Sequence, residues 1–143
     1  MLRLCGRTLL LASATKPAAS LLLPVVARLM LDPRALPAKS GGLRAVVLAP
    51  TREAASRTVQ EARQLVLRTP LRCTLACGGT PVDETLAELS AGVELLVATP
   101  GRLLDLSQEG SIELGRVEHV VLDEADPNPN PNPNPNPNPN PNP

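Results

Sequence analysis

Four short aliphatic runs divide the middle of the chain: RAVVLA (44–49), LRCTLA (71–76), VELLVA (93–98) and VEHVVL (117–122). Each is rich in Val and Leu and about the length of one strand. With so few polar side chains, each suits a strand covered on both faces. The stretches between them have helical spacing. TREAASRTVQEARQLVLRT places Ala55, Val59, Ala62, Leu65 and Val66 on one helical face. PVDETLAELSAG opens on a proline and two acids and stops at Gly92, and GRLLDLSQEG is closed by Gly110. Alternating strand and helix implies an α/β domain: a parallel sheet with helices on its faces.

In such sheets ligands sit beyond the carboxyl ends of the strands, so the residues after each run carry the information. They are PTRE after the first run, CGG after the second, TPGR after the third and DEAD after the fourth. Each group taken singly is an ordinary turn, because Gly, Pro and Asp make turns. Asp123 and Glu124 at a strand tip can hold Mg²⁺ through its waters and orient an attacking water. They can equally form an acidic turn whose aspartate caps the next helix. Arg52 and Arg102 read as phosphate contacts or as solvated helix-start charges, and His119 reads as a core histidine.

Composition limits the core and the partners. The 126 residues before the terminal repeat contain no Phe, Tyr, Trp or Asn, and Arg outnumbers Lys twelve to two. The core must therefore rest on Leu, Val and Ala, without the large buried areas that aromatics supply. Net charge is zero, so the overall field attracts no polyanion, and any nucleic-acid grip must be local. Cys5, Cys73 and Cys77 have neither the number nor the spacing of a zinc site or a disulfide framework. Cys73 and Cys77 look like core thiols of a reducing compartment, cytoplasm or nucleus. No apolar run approaches the ~20 residues of a membrane span, so no membrane partner is expected.

Taken together and in this order, VLAPTRE, GG, VATPGRLLD and VLDEAD resemble the N-terminal RecA-like domain of the DEAD-box ATP-dependent RNA helicases. The resemblance covers about residues 44–126, and its layout looks most like the Vasa-type branch. It implies a RecA-like parallel sheet of the P-loop NTPase kind, with helices on both faces, over residues 1–126. It also implies that ATP and Mg²⁺ are the cofactors and RNA the partner. Position by position, Pro50, Thr51, Arg52 and Glu53 would form one RNA-contacting loop, Gly78 and Gly79 a second, and Thr99, Pro100, Gly101 and Arg102 a third. Asp123 would serve the metal and, with Glu124, the catalysis. Helix-start amides, small residues and two arginines can approach phosphates closely. Such contacts follow the backbone and 2′-hydroxyls, so binding should be blind to sequence. One departure is Ala54, where the family has Leu.

The phosphate loop departs further. Family members carry A-x-T-G-S-G-K-T before a helix ending in an apolar LLP. Here SLLLPVV (20–26) matches that helix, and GRTLLLASATKPAAS stands where the loop belongs. Lys16 is the candidate ATP-binding lysine, but no glycine lies between Gly6 and Gly41, and Pro17 replaces the Mg²⁺-binding threonine. Forfeiting three charge-assisted hydrogen bonds costs at least ~4.5 kcal/mol, about a thousandfold in affinity. The expectation is a chain that binds ATP poorly. LLLASAT also echoes a later strand of the family, which is taken as coincidence. In the fold the resemblance implies, that later strand lies between the phosphate-loop strand and the DEAD strand. The sheet is therefore expected to be truncated after the DEAD strand, with a central slot unfilled and the chain only partly folded.

Residues 127–143 alternate Pro and Asn. Alternate residues lack an N–H and each Asn precedes a Pro, so the repeat predicts a disordered, polyproline-like extension with no charge for RNA. A telomeric DNA tract read as CCT-AAC encodes this dipeptide without end; an ordinary low-complexity repeat is the alternative. The opening MLRLCGRTLLLASA reads either as the first strand of the domain or as a mitochondrial or secretory presequence. Besides a helicase fragment, two readings stay open: a non-enzymatic RNA-binding remnant, and an exported or organellar protein with a repeat spacer.

Overall fold

In a computed structural model the described residues are 9–13, 18–31 and 42–124. They run β1 (Leu9–Ser13), α1 (Ala19–Leu31), β2 (Ala45–Leu48), α2 (Arg52–Val66), β3 (Cys73–Ala76), α3 (Val82–Ser90), β4 (Leu95–Ala98), α4 (Pro100–Gln108) and β5 (His119–Asp123). All four aliphatic runs are strands. Each starts one or two residues later than its apolar run, and the last continues through Asp123.

The strands form a parallel sheet in the order β1-β5-β2-β4-β3. Because side chains alternate across a strand, each interior strand feeds two cores. On one face Val47, Leu95, Val97 and Val121 meet Leu22, Val25 and Leu29 of α1 and Ala55, Val59 and Ala62 of α2. On the other, Val46, Leu96 and Ala98 meet Leu106 of α4, with Leu103, Val82 and Leu86 packed against them. Helices thus cover both faces, as the near-continuous apolar runs require. Cys77 is buried in the first core and Cys73 packs against it. Burial pushes the Cys73 thiol up from its ordinary value; Arg63 opposes the shift and Glu88 adds to it.

The glycine stops of α3 and α4 are read correctly from the sequence, and the structure adds a cap on α2. Thr51 caps α2, its side chain accepting from the Ala54 N–H at 3.1 Å. Gly92 and Gly110, just past α3 and α4, have φ of 95° and 68°, the left-handed turn that lets a helix end. SLLLPVV lies inside α1, which carries Pro24 in its interior.

One expectation is corrected. The slot beside β5 is not empty: β1 pairs with β5 directly and in parallel, Leu9 opposite His119 through to Ser13 opposite Asp123. The edge hydrogen-bonding groups of β5, which an unfilled slot would leave without strand partners, are taken up by β1. Leu9–Ser13 is thereby a strand of the sheet. Lys16, Pro17 and the Pro-Asn repeat lie outside the described residues.

Candidate functional site

The four polar groups emerge on one edge, because four parallel strands end there side by side. Leu48 stands opposite both Ala98 and Leu122, and Ala76 opposite Ala98. The ladder continues past the strand ends. The Ala49 N–H donates to the Ala98 carbonyl at 3.0 Å, and the Thr99 N–H to the Ala76 carbonyl at 3.1 Å.

Three of the loops come into contact. Pro50 and Thr51 lead into α2, and Arg52 and Glu53 form its exposed first turn. The Arg52 side chain lies against the turn after β3: a Cβ on Gly79 would come within 2.8 Å of its Cζ, and one on Gly78 within 3.8 Å of its Cδ. Gly79 has φ of 88°, so only glycine both takes this backbone shape without strain and leaves room for the guanidinium. Thr80, a residue the motif reading passed over, closes that turn. Its hydroxyl donates to the Cys77 carbonyl at 2.6 Å and accepts from the Cys77 N–H at 3.2 Å. Arg102 of α4 then donates from Nη2 to the Thr80 carbonyl at 3.4 Å. Thr99 is the N-cap position of α4, Pro100 starts the helix, and Gly101 is exposed with open space where a Cβ would stand. The rim therefore presents small residues, helix-start amides and two guanidinium groups side by side.

The acidic pair lies at the tip of β5. Asp123 is 7% exposed, and its Oδ2 accepts a buried hydrogen bond from the Thr58 hydroxyl at 2.6 Å. Glu124 has φ of 53°, a left-handed conformation that costs a side-chain-bearing residue about 1–2 kcal/mol. Its Oε1 pairs with Arg57 Nη2 at 2.9 Å. A third α2 residue, Glu61, accepts the Ala19 N–H of α1 on Oε2 at 2.6 Å. Sequence reasoning missed Thr58, Arg57 and Glu61. Thr58 was within reach of it: it falls three residues after Ala55, on the helical face already assigned to the core.

These contacts bear on ATP and Mg²⁺. Mg²⁺ is commonly held by one or two carboxylates together with substrate phosphates. Among the described residues no three His, Cys, Asp or Glu side chains gather into a metal site. One oxygen of each carboxylate is already engaged, and the amide of Ala19 at the start of the phosphate-side helix is taken by a carboxylate. Asp123 and Glu124 are the residues that would hold the metal, and the phosphate-loop residues lie outside the described ones.

His119 is a core residue, 8% exposed. Desolvation lowers its pKa below the ordinary value; Glu118 opposes the shift, and Arg44 and Arg28 add to it.

The family profile described as DEAD/DEAH box helicase matches residues 16–128. DEAD-box ATP-dependent RNA helicase 52A of Oryza sativa subsp. japonica is 46% identical over 83 residues, 58% of this chain and 14% of that protein. Probable ATP-dependent RNA helicase ddx3 of Dictyostelium discoideum is 40% identical over 116 residues, 76% of this chain and 16% of that protein. The crystal structure of the yeast DEAD-box splicing factor Prp28 superposes with a TM-score of 0.69 at 28% identity, covering 82% of this chain and 28% of that one. The chain thus spans less than a third of each of these relatives. With the profile covering the sheet from α1 through β5 and Prp28 sharing the fold, the chain belongs to the DEAD/DEAH box helicase family, and its fold is that of the family's N-terminal RecA-like helicase domain.

Proposed function

We propose that this chain is the RNA-gripping half of a helicase domain, holding single-stranded RNA by its backbone through Pro50, Thr51, Arg52, Glu53, Gly78, Gly79, Thr99, Pro100, Gly101 and Arg102. The observation that carries the reading is the seating of Arg52 across the Gly78–Gly79 turn, beside the Arg102–Thr80 contact. Three loops from three strands there make one surface, with two cations and no aromatic platform. A surface of that kind meets phosphates and 2′-hydroxyls and discriminates little between bases. In this chain Asp123 and Glu124 retain the positions of the family's acidic pair, but no glycine lies between Gly6 and Gly41 to build a phosphate loop. Binding is therefore independent of ATP.

The test is fluorescence anisotropy with single-stranded RNAs of several sequences across a salt series. The expected result is similar affinity for all of them, unchanged by ATP. Each phosphate contact contributes a slope of about −0.7 in log affinity against log salt for a single strand. Arg52→Ala with Arg102→Ala should flatten that slope by about 1.4. A double variant with the parental slope, or affinity that appears only with ATP, overturns the reading.

A further inference from the structure

β3 ends the sheet, and its outer edge has no strand beside it. In a parallel ladder alternate residues serve opposite neighbours. The Arg72 and Ala76 carbonyls accept from the N–H groups of Leu95 and Thr99, on the β4 side, at 3.2 Å and 3.1 Å. Cys73 and Leu75, one step out of phase, therefore aim their amides away from the sheet. Thr85 places its hydroxyl on the Leu75 carbonyl at 3.4 Å and closes the carboxyl end of this edge. Nearer the amino end, the N–H groups of Cys73 and Leu75 and the Cys73 carbonyl are left with no strand partner.

This open stretch borders a groove of about 450 Å³ that runs from the end of α2, across the start of β3, to the end of α3. Val66, Leu67, Ala91 and Val93 give it apolar walls, and Leu67 stands 79% exposed at its rim. An edge strand beside an apolar groove can accept an added strand: main-chain bonds hold the newcomer, and its alternate side chains enter the groove. Charge selects the occupant. Arg63 and Arg72 line the groove against one acid, Glu88, which already accepts the Thr74 hydroxyl. Two copies joined edge to edge would set these arginines against their equivalents, and like charges across a strand pair repel. We infer that the β3 edge takes an extended acidic segment of a partner protein as a further strand, its carboxylate held by Arg63 and Arg72. The groove lies at the amino end of β3, opposite the end that carries Gly78 and Gly79, so the site is separate from the RNA rim.

The probe is a fluorescein-labelled peptide of about ten residues, alternating Val and Thr around a central pair of Glu, followed by anisotropy on the full chain. Binding is expected with a dissociation constant below about 1 mM. Replacing both Glu by Lys should weaken it about tenfold, and Arg63→Gln or Arg72→Gln about threefold to fivefold, the size of one exposed ion pair. Strand addition has its own signature, because only alternate peptide amides face β3. N-methylation of one alternate set should abolish binding, and methylation of the other should leave it within about twofold. Cys73→Pro removes an outward amide and spares the β4 ladder, a change that edge strands tolerate, and should also abolish binding. If that variant melts early, the methylated peptides decide. Alkylation of Cys73 in the parent chain, mapped by mass spectrometry, should slow in proportion to the peptide bound. No binding at about 1 mM, equal losses for the two methylated sets, or equal binding of the Glu and Lys peptides overturns the inference. A chain that dimerises on its own with Cys73 protected in the dimer also overturns it, since the occupant would then be a second copy. Loss of RNA binding with peptide binding intact would sink the RNA reading alone, and the converse would sink the strand-addition site alone.

Discussion

Thr58 shows how one small side chain can set the state of a site. Asp123 is 7% exposed and Thr58 2%, so their hydrogen bond is made away from water. A buried carboxylate without such a donor carries its full desolvation cost. Thr58→Val keeps the shape of the side chain and removes the hydroxyl, so the loss falls on Asp123 alone. The expected cost is about 1.5–3 kcal/mol, read as a lower urea midpoint with an unchanged slope. Breaking the neighbouring Arg57–Glu124 pair should cost under about 1 kcal/mol, because both partners are largely in water. Equal losses in Thr58→Val and Arg57→Gln would contradict this ordering. The motif residues themselves were legible in the sequence, since their types and order are the family's. Their partners were not, because Thr58 and Glu61 act through contacts 65 and 42 residues away along the chain, which local spacing does not encode.

The elements were more legible than their pairing. Val- and Leu-rich runs between Gly- and Pro-marked turns gave all four strands from β2 to β5, and glycines at positive φ closed the helices where expected. What periodicity could not give was the neighbour of β5. Strand order is a property of crossovers and hydrogen bonding, and the family pattern pointed to an unfilled slot there, whereas β1 fills it. The pairing has a direct consequence for amide exchange. With β1 on one side and β2 on the other, β5 is an interior strand and β3 an edge strand. Amides of residues 119–123 should exchange at least about tenfold more slowly than those of residues 73–76. Equal or faster exchange in β5 would show that β1 does not stay paired. A second consequence concerns α1. Pro24 lies inside that helix and is exposed, so it removes an interior amide and crowds the preceding turn with no core role for its ring. Pro24→Ala should raise the stability of the chain by about 1–3 kcal/mol, measured by thermal or urea unfolding. No gain would mean that the helix bends around the proline without strain.

At the scale of the whole molecule, a chain of zero net charge has paired charges near both edges of its sheet. The carboxyl edge carries Arg52, Arg102 and the acidic pair. Toward the opposite edge, Arg44 pairs with Glu118 at 3.0 Å and Glu94 accepts the Arg72 N–H at 2.7 Å, all close to where β2, β4 and β5 begin. His119 sits among these groups at the start of β5, with Arg44 and Arg28 near it and Glu118 as the opposing charge. Its Nδ1 is buried without a hydrogen-bond partner among the described residues. Burial and the two arginines disfavour the imidazolium, so the folded chain binds that proton less readily than the unfolded chain does. The sign follows from linkage: where the unfolded state binds more protons, stability rises with pH. Above about pH 6.5 both states hold neutral imidazole and the group contributes no pH dependence. As pH falls below that value and through the lowered pKa of the folded state, stability is progressively lost. Other acids titrate in the same range, so the informative quantity is a difference. His119→Leu fills similar space without a titratable group, and its unfolding midpoint should fall less than that of the parent between pH 7 and pH 5. Parallel pH profiles for the two chains would show that the imidazole is protonated as easily in the folded sheet as in water, and the arginines around it would then have to be screened from it.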